Sequence, residues 1–136
     1  MARDIFVVTH AQSTHHIDGL VGGWYGTDLT DLGRRPANGI AVRIAERVGD
    51  GPVELYASDL KRAAQTAAPI AARLGVAARL MPDLREKSFG VTSGRPSAWL
   101  EERWVPAPLG DDRLDHFEGV EGGETRRHSL SGSPAP

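Results

Sequence analysis

The feature that most constrains this chain is an alternation in its first half, where short apolar runs are separated by stretches with helical spacing. Ile5, Phe6, Val7 and Val8 are bulky and mostly β-branched, and so short a run reads as a strand buried on both faces. A loop is expected from His15 to Asp28, punctuated by Gly19, Gly22, Gly23 and Gly26. Thr30 then predicts a helix N-cap, because Ala37, Ile40, Ala41, Ile44, Ala45 and Val48 recur at helical spacing before Gly49 ends the pattern. Pro36 lies beyond the first turn, where proline removes a backbone bond at a cost of about 3 kcal/mol, so this helix either starts near Arg35 or kinks there. "VELYAS", Val53 to Ser58, reads as a second strand. "DLKRAAQTAAPIAARLG" reads as a second helix, capped by Ser58, closed by Gly75 and bent at Pro69. Its expected buried stripe is Leu60, Ala63, Ala64, Ala67, Ile70, Ala71 and Leu74. "VAARLMP" would be a third strand, and the whole order argues for an α/β fold with a parallel sheet and helices packed on it. Beyond Pro82 the pattern weakens: Trp99 to Trp104 fits one short helix, and the small, polar, proline-rich stretch Arg126 to Pro136 predicts a disordered tail.

A chain of 136 residues suits one domain, here 1–125 followed by the tail 126–136. The formal net charge of −2 gives no long-range attraction for polyanions, so neither nucleic acid nor a membrane surface is an expected partner. The absence of cysteine excludes disulfides and thiolate metal sites and fits a reducing compartment. The apolar run Ile5 to Val8 is too short for a signal-peptide core or a membrane span, and a cytoplasmic location is expected. His15, His16 and Asp18 have no further ligand pattern around them, so neither a metal nor another cofactor is expected.

His10 stands at the C-terminal end of the first run, where open parallel α/β sheets bind their ligands. Ser58 and Arg62 stand at the end of the second run and in the first turn of the helix after it. Unpaired N–H groups at a helix start and a bidentate guanidinium together suit phosphate oxygens. Taken one at a time, His10 also reads as a strand-capping residue and Arg62 as a solvated surface arginine.

The motifs "THAQS", "GTDLTDLGRRPA", "YASDLKRAAQTA", "LREKSFG" and "EGGET", in that order and reaching about Thr125, resemble the histidine phosphatase superfamily, also called the phosphoglycerate mutase-like family. The resemblance implies a three-layer α/β sandwich with a mostly parallel central sheet, here lacking the C-terminal part of the family fold. It implies that His10 attacks phosphorus to form a transient phosphohistidine, that Arg62 grips the phosphate and that Glu86 protonates the leaving oxygen. Gln12, Ser13 and Ser58 fall where phosphate-pocket and supporting groups lie in relatives. Thr9 replaces the first phosphate-binding arginine and can donate one neutral hydrogen bond, and Ala11 replaces a glycine. The family's second phosphate-binding histidine has no counterpart, since His116 and His128 follow no apolar run and read as solvated. Trp24, Trp99 and Trp104 read as packing residues.

The reading that follows is a phosphomonoester hydrolase acting on a small phosphorylated substrate, on the phosphatase rather than the mutase side of the family. Two alternatives stay open: an inactive or weak pseudoenzyme that binds phosphate-bearing ligands or a partner protein, and a truncated product. Without a neighbouring strand, Ile5 to Val8 would present a free edge. The protein is then expected to form a homodimer, to cover the edge with its own C-terminal region such as "RLDHFEGV", or to aggregate.

Overall fold

The structure, a computed structural model, describes residues 4–131. In chain order its helices are α1 (Thr14–Asp18), α2 (Asp31–Val48), α3 (Lys61–Leu74), α4 (Ser97–Glu101) and α5 (Arg126–Ser131), and its strands are β1 (Leu55–Ser58) and β2 (Ala78–Met81). The chain divides into two compact units, one holding the residues up to Ser13 together with Asp28–Pro82, the other holding Thr14–Thr27 and the residues from Asp83 onward.

In the first unit, Thr30 caps α2 as its sequence predicts, its hydroxyl oxygen accepting the Gly33 N–H at 2.9 Å. The helix begins at Asp31 and includes Pro36, so a start near Arg35 is corrected. Pro36 withholds the donor that the Leu32 carbonyl would take, but both residues are exposed and the loss falls on the solvent side. Helix α3 starts at Lys61 with Leu60 as N-cap, which corrects the assignment of that role to Ser58. Ser58 is still the last residue of β1, and its hydroxyl instead braces the turn by accepting the Leu60 N–H at 3.2 Å. Gly75 closes α3 in the left-handed conformation, φ 67°. The buried residues of α3 are Arg62, Thr66, Ala67 and Ile70, whereas Ala63, Ala64, Ala71 and Leu74 are only half-buried. The inward face is therefore rotated from the predicted apolar stripe, and this rotation carries Arg62 inside. Helix α3 packs on α2 and on both strands.

The strands pair in parallel from Leu55 opposite Ala78 to Ser58 opposite Met81, so the fold is α/β with a parallel sheet. That sheet has two strands, because Ile5 to Val8 forms none. Ile5 and Val7 are 86 % and 88 % exposed, and Phe6 and Val8 are 41 % and 37 % exposed, against the expectation of a strand buried on both faces. A strand exists only through its pairing, and neither β1 nor β2 pairs with this segment.

The second unit is made of short helices and turns held by isolated backbone bonds, with Val21 and Val120 in its core. Val21 N–H donates to Arg95 and Gly94 N–H donates to Val21, at 2.8 and 2.9 Å. Helix α1 occupies the start of the expected Gly-rich loop and buries His15, whose Nδ1 lies 3.0 Å from the Thr27 hydroxyl. Helix α5 covers the first part of the expected disordered tail, and residues 132–136 lie outside the described residues. Nor are the two later histidines simply solvated: His116 Nε2 bonds the Val105 carbonyl at 3.0 Å and His128 Nδ1 the Thr125 hydroxyl at 2.9 Å. Among the described residues no helix is long and apolar enough to cross a membrane.

Candidate active site

The first turn of α3 brings Arg62 to His10, and Ser58, at the end of β1, stands in the turn that leads into that helix. Arg62 is 1 % exposed and donates its Nε–H to His10 Nε2 at 3.2 Å. On the other side of the ring, His10 Nδ1 lies 2.8 Å from the Ala11 carbonyl, an oxygen that can only accept. The proton therefore sits on Nδ1 and the lone pair on Nε2, the tautomer required of a nitrogen nucleophile. Arg62 is thus a buried guanidinium that turns its Nε edge toward a half-buried imidazole, and a guanidinium is the group best matched to phosphate oxygens.

The segment after His10 is latched to the start of α2. Thr30 N–H donates to the Gln12 carbonyl at 3.1 Å, and the Thr30 hydroxyl donates to Gln12 Oε1 at 2.8 Å. With its carbonyl oxygen so engaged, the exposed Gln12 side chain has its amide N–H groups available to a ligand. Ser13 is fully buried and bridges to Leu29 in antiparallel fashion. A Cβ on Gly33 would lie 2.0 Å from the Gln12 carbonyl oxygen, so only glycine lets this segment approach the helix. Asp28 completes the frame, bonded by Lys61 Nζ at 2.8 Å and Gln65 Nε2 at 2.6 Å. The Lys61 and then the Gln65 hydrogen bond hold its carboxyl below the ordinary aspartate range. Thr9, next to His10, is exposed. His10 and Arg62 are thus in contact, Ser58 braces the start of α3, and Gln12 and Ser13 shape the adjoining loop. Thr30 and Gly33 were missed as site residues, although a threonine three residues before a glycine is their visible trace.

Glu86 belongs to the second unit and its side chain is exposed. Its carbonyl accepts the Trp24 indole N–H at 2.7 Å, and the Arg85 guanidinium lies 5.0 Å over the same indole. Trp24, read as a packing residue, is 39 % exposed and serves here as a brace. The next residue, Lys87, pairs with Glu118, and its ammonium lies 5.1 and 5.0 Å from the Phe89 and Trp104 rings. Then Ser88 N–H donates to Glu124 Oε2 at 2.7 Å, and Glu124 N–H donates back to the Ser88 carbonyl at 2.9 Å. Among the described residues no group of histidine, aspartate and glutamate side chains is arranged to hold a metal ion.

The family model of the histidine phosphatase superfamily (branch 1) matches residues 5–130. A metal-independent phosphoserine phosphatase of Arabidopsis thaliana is 37 % identical over 94 residues, which cover 67 % of this chain and 38 % of that protein. A glucosyl-3-phosphoglycerate phosphatase of Mycobacterium tuberculosis is 30 % identical over 125 residues, covering 92 % of this chain and 54 % of the relative. A mycobacterial glucosyl-3-phosphoglycerate phosphatase solved in complex with VO3 superposes with a TM-score of 0.73 at 28 % identity, over 91 % of this chain and 60 % of that one. The chain thus spans about half the length of the relatives it matches.

Proposed function

This chain belongs to the histidine phosphatase superfamily, and on that premise we propose that it hydrolyses a small phosphomonoester through a phosphohistidine on His10. The observation that carries the reading is the His10–Arg62 pair, with an unprotonated Nε2 facing a buried guanidinium. An incoming phosphate competes for that guanidinium, takes the arginine's N–H groups onto its oxygens and frees the Nε2 lone pair. Nε2 then bonds to phosphorus while the phosphorus–oxygen ester bond breaks, its electron pair passing to the leaving oxygen, which takes a proton from the Glu86 carboxyl. In the second step water attacks phosphorus, the nitrogen–phosphorus bond returns its electrons to Nε2, and the water's proton goes to the Glu86 carboxylate. The role of Glu86 rests on the match of "LREKSFG" to the family motif. Gln12 contributes amide N–H groups, Thr9 at most one hydrogen bond, and Ser13 and Ser58 keep the pocket backbone in place.

The relative solved with VO3, an analogue of the transferring phosphoryl group, supports an anion site of this kind in the family. Similar proteins include both phosphatases and probable phosphoglycerate mutases, and the preference for hydrolysis rests on the likeness of "LREKSFG" to the acid loop of small phosphatases. Phosphate binding without turnover is the second reading, favoured by Thr9: a neutral hydroxyl there supplies far less transition-state charge stabilisation than an arginine. The lack of cysteine suits action in the cytoplasm.

Hydrolysis of 4-nitrophenyl phosphate by the unaltered protein and by His10→Ala is the test. The substitution is expected to abolish turnover and, in a rapid acid quench, the acid-labile phosphoenzyme. Equal rates for the two proteins would remove His10 from the mechanism. Phosphate that shifts the His10 ring resonances without any turnover would establish the second reading instead.

A further inference from the structure

We propose that Glu124, the carboxylate of "EGGET", is a positioning residue for Glu86. The inference rests on the reading of Glu86 as the proton donor and assigns the work of holding that donor in place. A glutamate on an exposed loop explores many rotamers and backbone states, yet a proton donor must be held to within roughly 0.5 Å of its productive position. The backbone of residues 86–88 sets where the Glu86 side chain starts, and restraint there fixes its origin.

Three successive residues carry it. The Glu86 carbonyl is held by the Trp24 indole, the Lys87 ammonium is held by Glu118 between two aromatic rings, and the Ser88 N–H is held by Glu124. The third contact is the most informative. Glu124 is 8 % exposed, and among the described residues no cation pairs with its carboxylate. Burying an unpaired carboxylate is expensive, and fold stability alone would be better served by an apolar side chain. What the carboxylate makes instead is a charge-assisted bond to the backbone two residues beyond Glu86. The return bond from Glu124 N–H to the Ser88 carbonyl closes the clamp, and Phe89 bridges Gly123 beside it. Gly90, at φ +51°, would place a Cβ 2.0 Å from the Glu121 carbonyl oxygen, so the two segments meet as closely as backbone allows.

The leaving group separates this role from a merely structural one. Nitrophenolate departs without a proton and phenolate departs poorly without one, so a displaced acid slows phenyl phosphate and spares 4-nitrophenyl phosphate. Because Glu86 also serves the dephosphorylation step common to both esters, the readout is kcat/KM, which reports only the steps up to departure of the leaving group. Glu124→Ala is expected to lower kcat/KM on phenyl phosphate on the order of tenfold to a hundredfold, a part of the usual general-acid contribution, and to change it on 4-nitrophenyl phosphate less than about threefold. Glu124→Gln keeps an oxygen that accepts the Ser88 N–H and should restore most of the loss. Glu86→Gln supplies the reference pattern for a missing acid. If Glu124→Ala does not fold, Lys87→Met, which removes the second anchor, should give the same leaving-group-selective loss. Equal loss of kcat/KM on both esters, or no loss in either positioning variant, overturns the proposal while leaving the hydrolase reading intact. A Glu86→Gln protein without leaving-group dependence removes the acid role itself, and an unaltered protein inert toward both esters overturns the hydrolase reading and this one together.

Discussion

At the scale of single residues, Gly33 exposes how tightly the loop after His10 is fitted. Alanine is normally about 1 kcal/mol better than glycine inside a helix, so Gly33→Ala in α2 ought to stabilise the protein if propensity decided the outcome. Its Cβ would instead meet the Gln12 carbonyl oxygen at 2.0 Å, and that oxygen is backbone, fixed by the Thr30 N–H. The steric term wins. Gly33→Ala is expected to destabilise the protein by about 1–3 kcal/mol, the range for overpacking, and to weaken phosphate binding as Gln12 is pushed off its latch. Chemical denaturation and a phosphate titration on the same variant check both halves, and a more stable variant with unchanged phosphate affinity would contradict the fit. Little of this was legible beforehand. Arg62 was readable because it lies in the first turn of the helix after β1, and His10 through the motif around it rather than through the strand expected before it, whereas the Gln12–Thr30 latch and the Glu124–Ser88 clamp join residues 18 and 36 positions apart. Nothing in local pattern encodes such pairs.

Elements were legible in proportion to how much of their stability is local. Thr30 and Gly75 announced a helix start and a helix end because capping uses the residue's own side chain or its own φ. The rotation of α3 that buries Arg62 was not visible, since which face turns inward depends on what packs there. Ile5 to Val8 has every local mark of a strand and forms none, because pairing is settled by neighbours. The tether between α3 and the chain before α2 has a pH signature of its own. Asp28 takes hydrogen bonds from Lys61 and Gln65 and has a depressed pKa. A group whose folded pKa is lowered adds stability that is present above its unfolded pKa and fades as pH falls through the folded one. Asp28→Asn should therefore have a lower Tm than the unaltered protein at pH 7. The gap should narrow as pH drops below about 4, the ordinary aspartate range, and close once Asp28 is protonated in the folded state. Thermal melts from pH 7 downward measure this, and a gap that does not change with pH would show that the tether is not electrostatic.

At the scale of the whole molecule, the exposed Ile5 to Val8 segment governs behaviour in solution. Exposure alternates along it, 86 % at Ile5, 41 % at Phe6, 88 % at Val7 and 37 % at Val8, the period of an extended chain with one face turned to water. Among the described residues none makes a backbone hydrogen bond to this segment. It therefore offers apolar side chains and free N–H and C=O groups together, with no charged residue between Ile5 and Val8 to discourage pairing. A second copy is the occupant its sequence suits best: laid antiparallel about a two-fold axis through Val7, Val7 faces its own copy and Phe6 faces Val8, so apolar partners meet on both faces. The expected outcome is a dimer at micromolar concentration by size-exclusion chromatography with light scattering, with the Phe6 to Val8 amides protected from exchange in a concentration-dependent way. Ile5→Lys with Val7→Lys, which charges only the outward face, should return a monomer without lowering Tm, because neither side chain is buried in the single chain. A monodisperse monomer of the unaltered sequence at the same concentration would end the argument for self-pairing, and protection of those amides in that monomer would mean that the chain covers the segment from within.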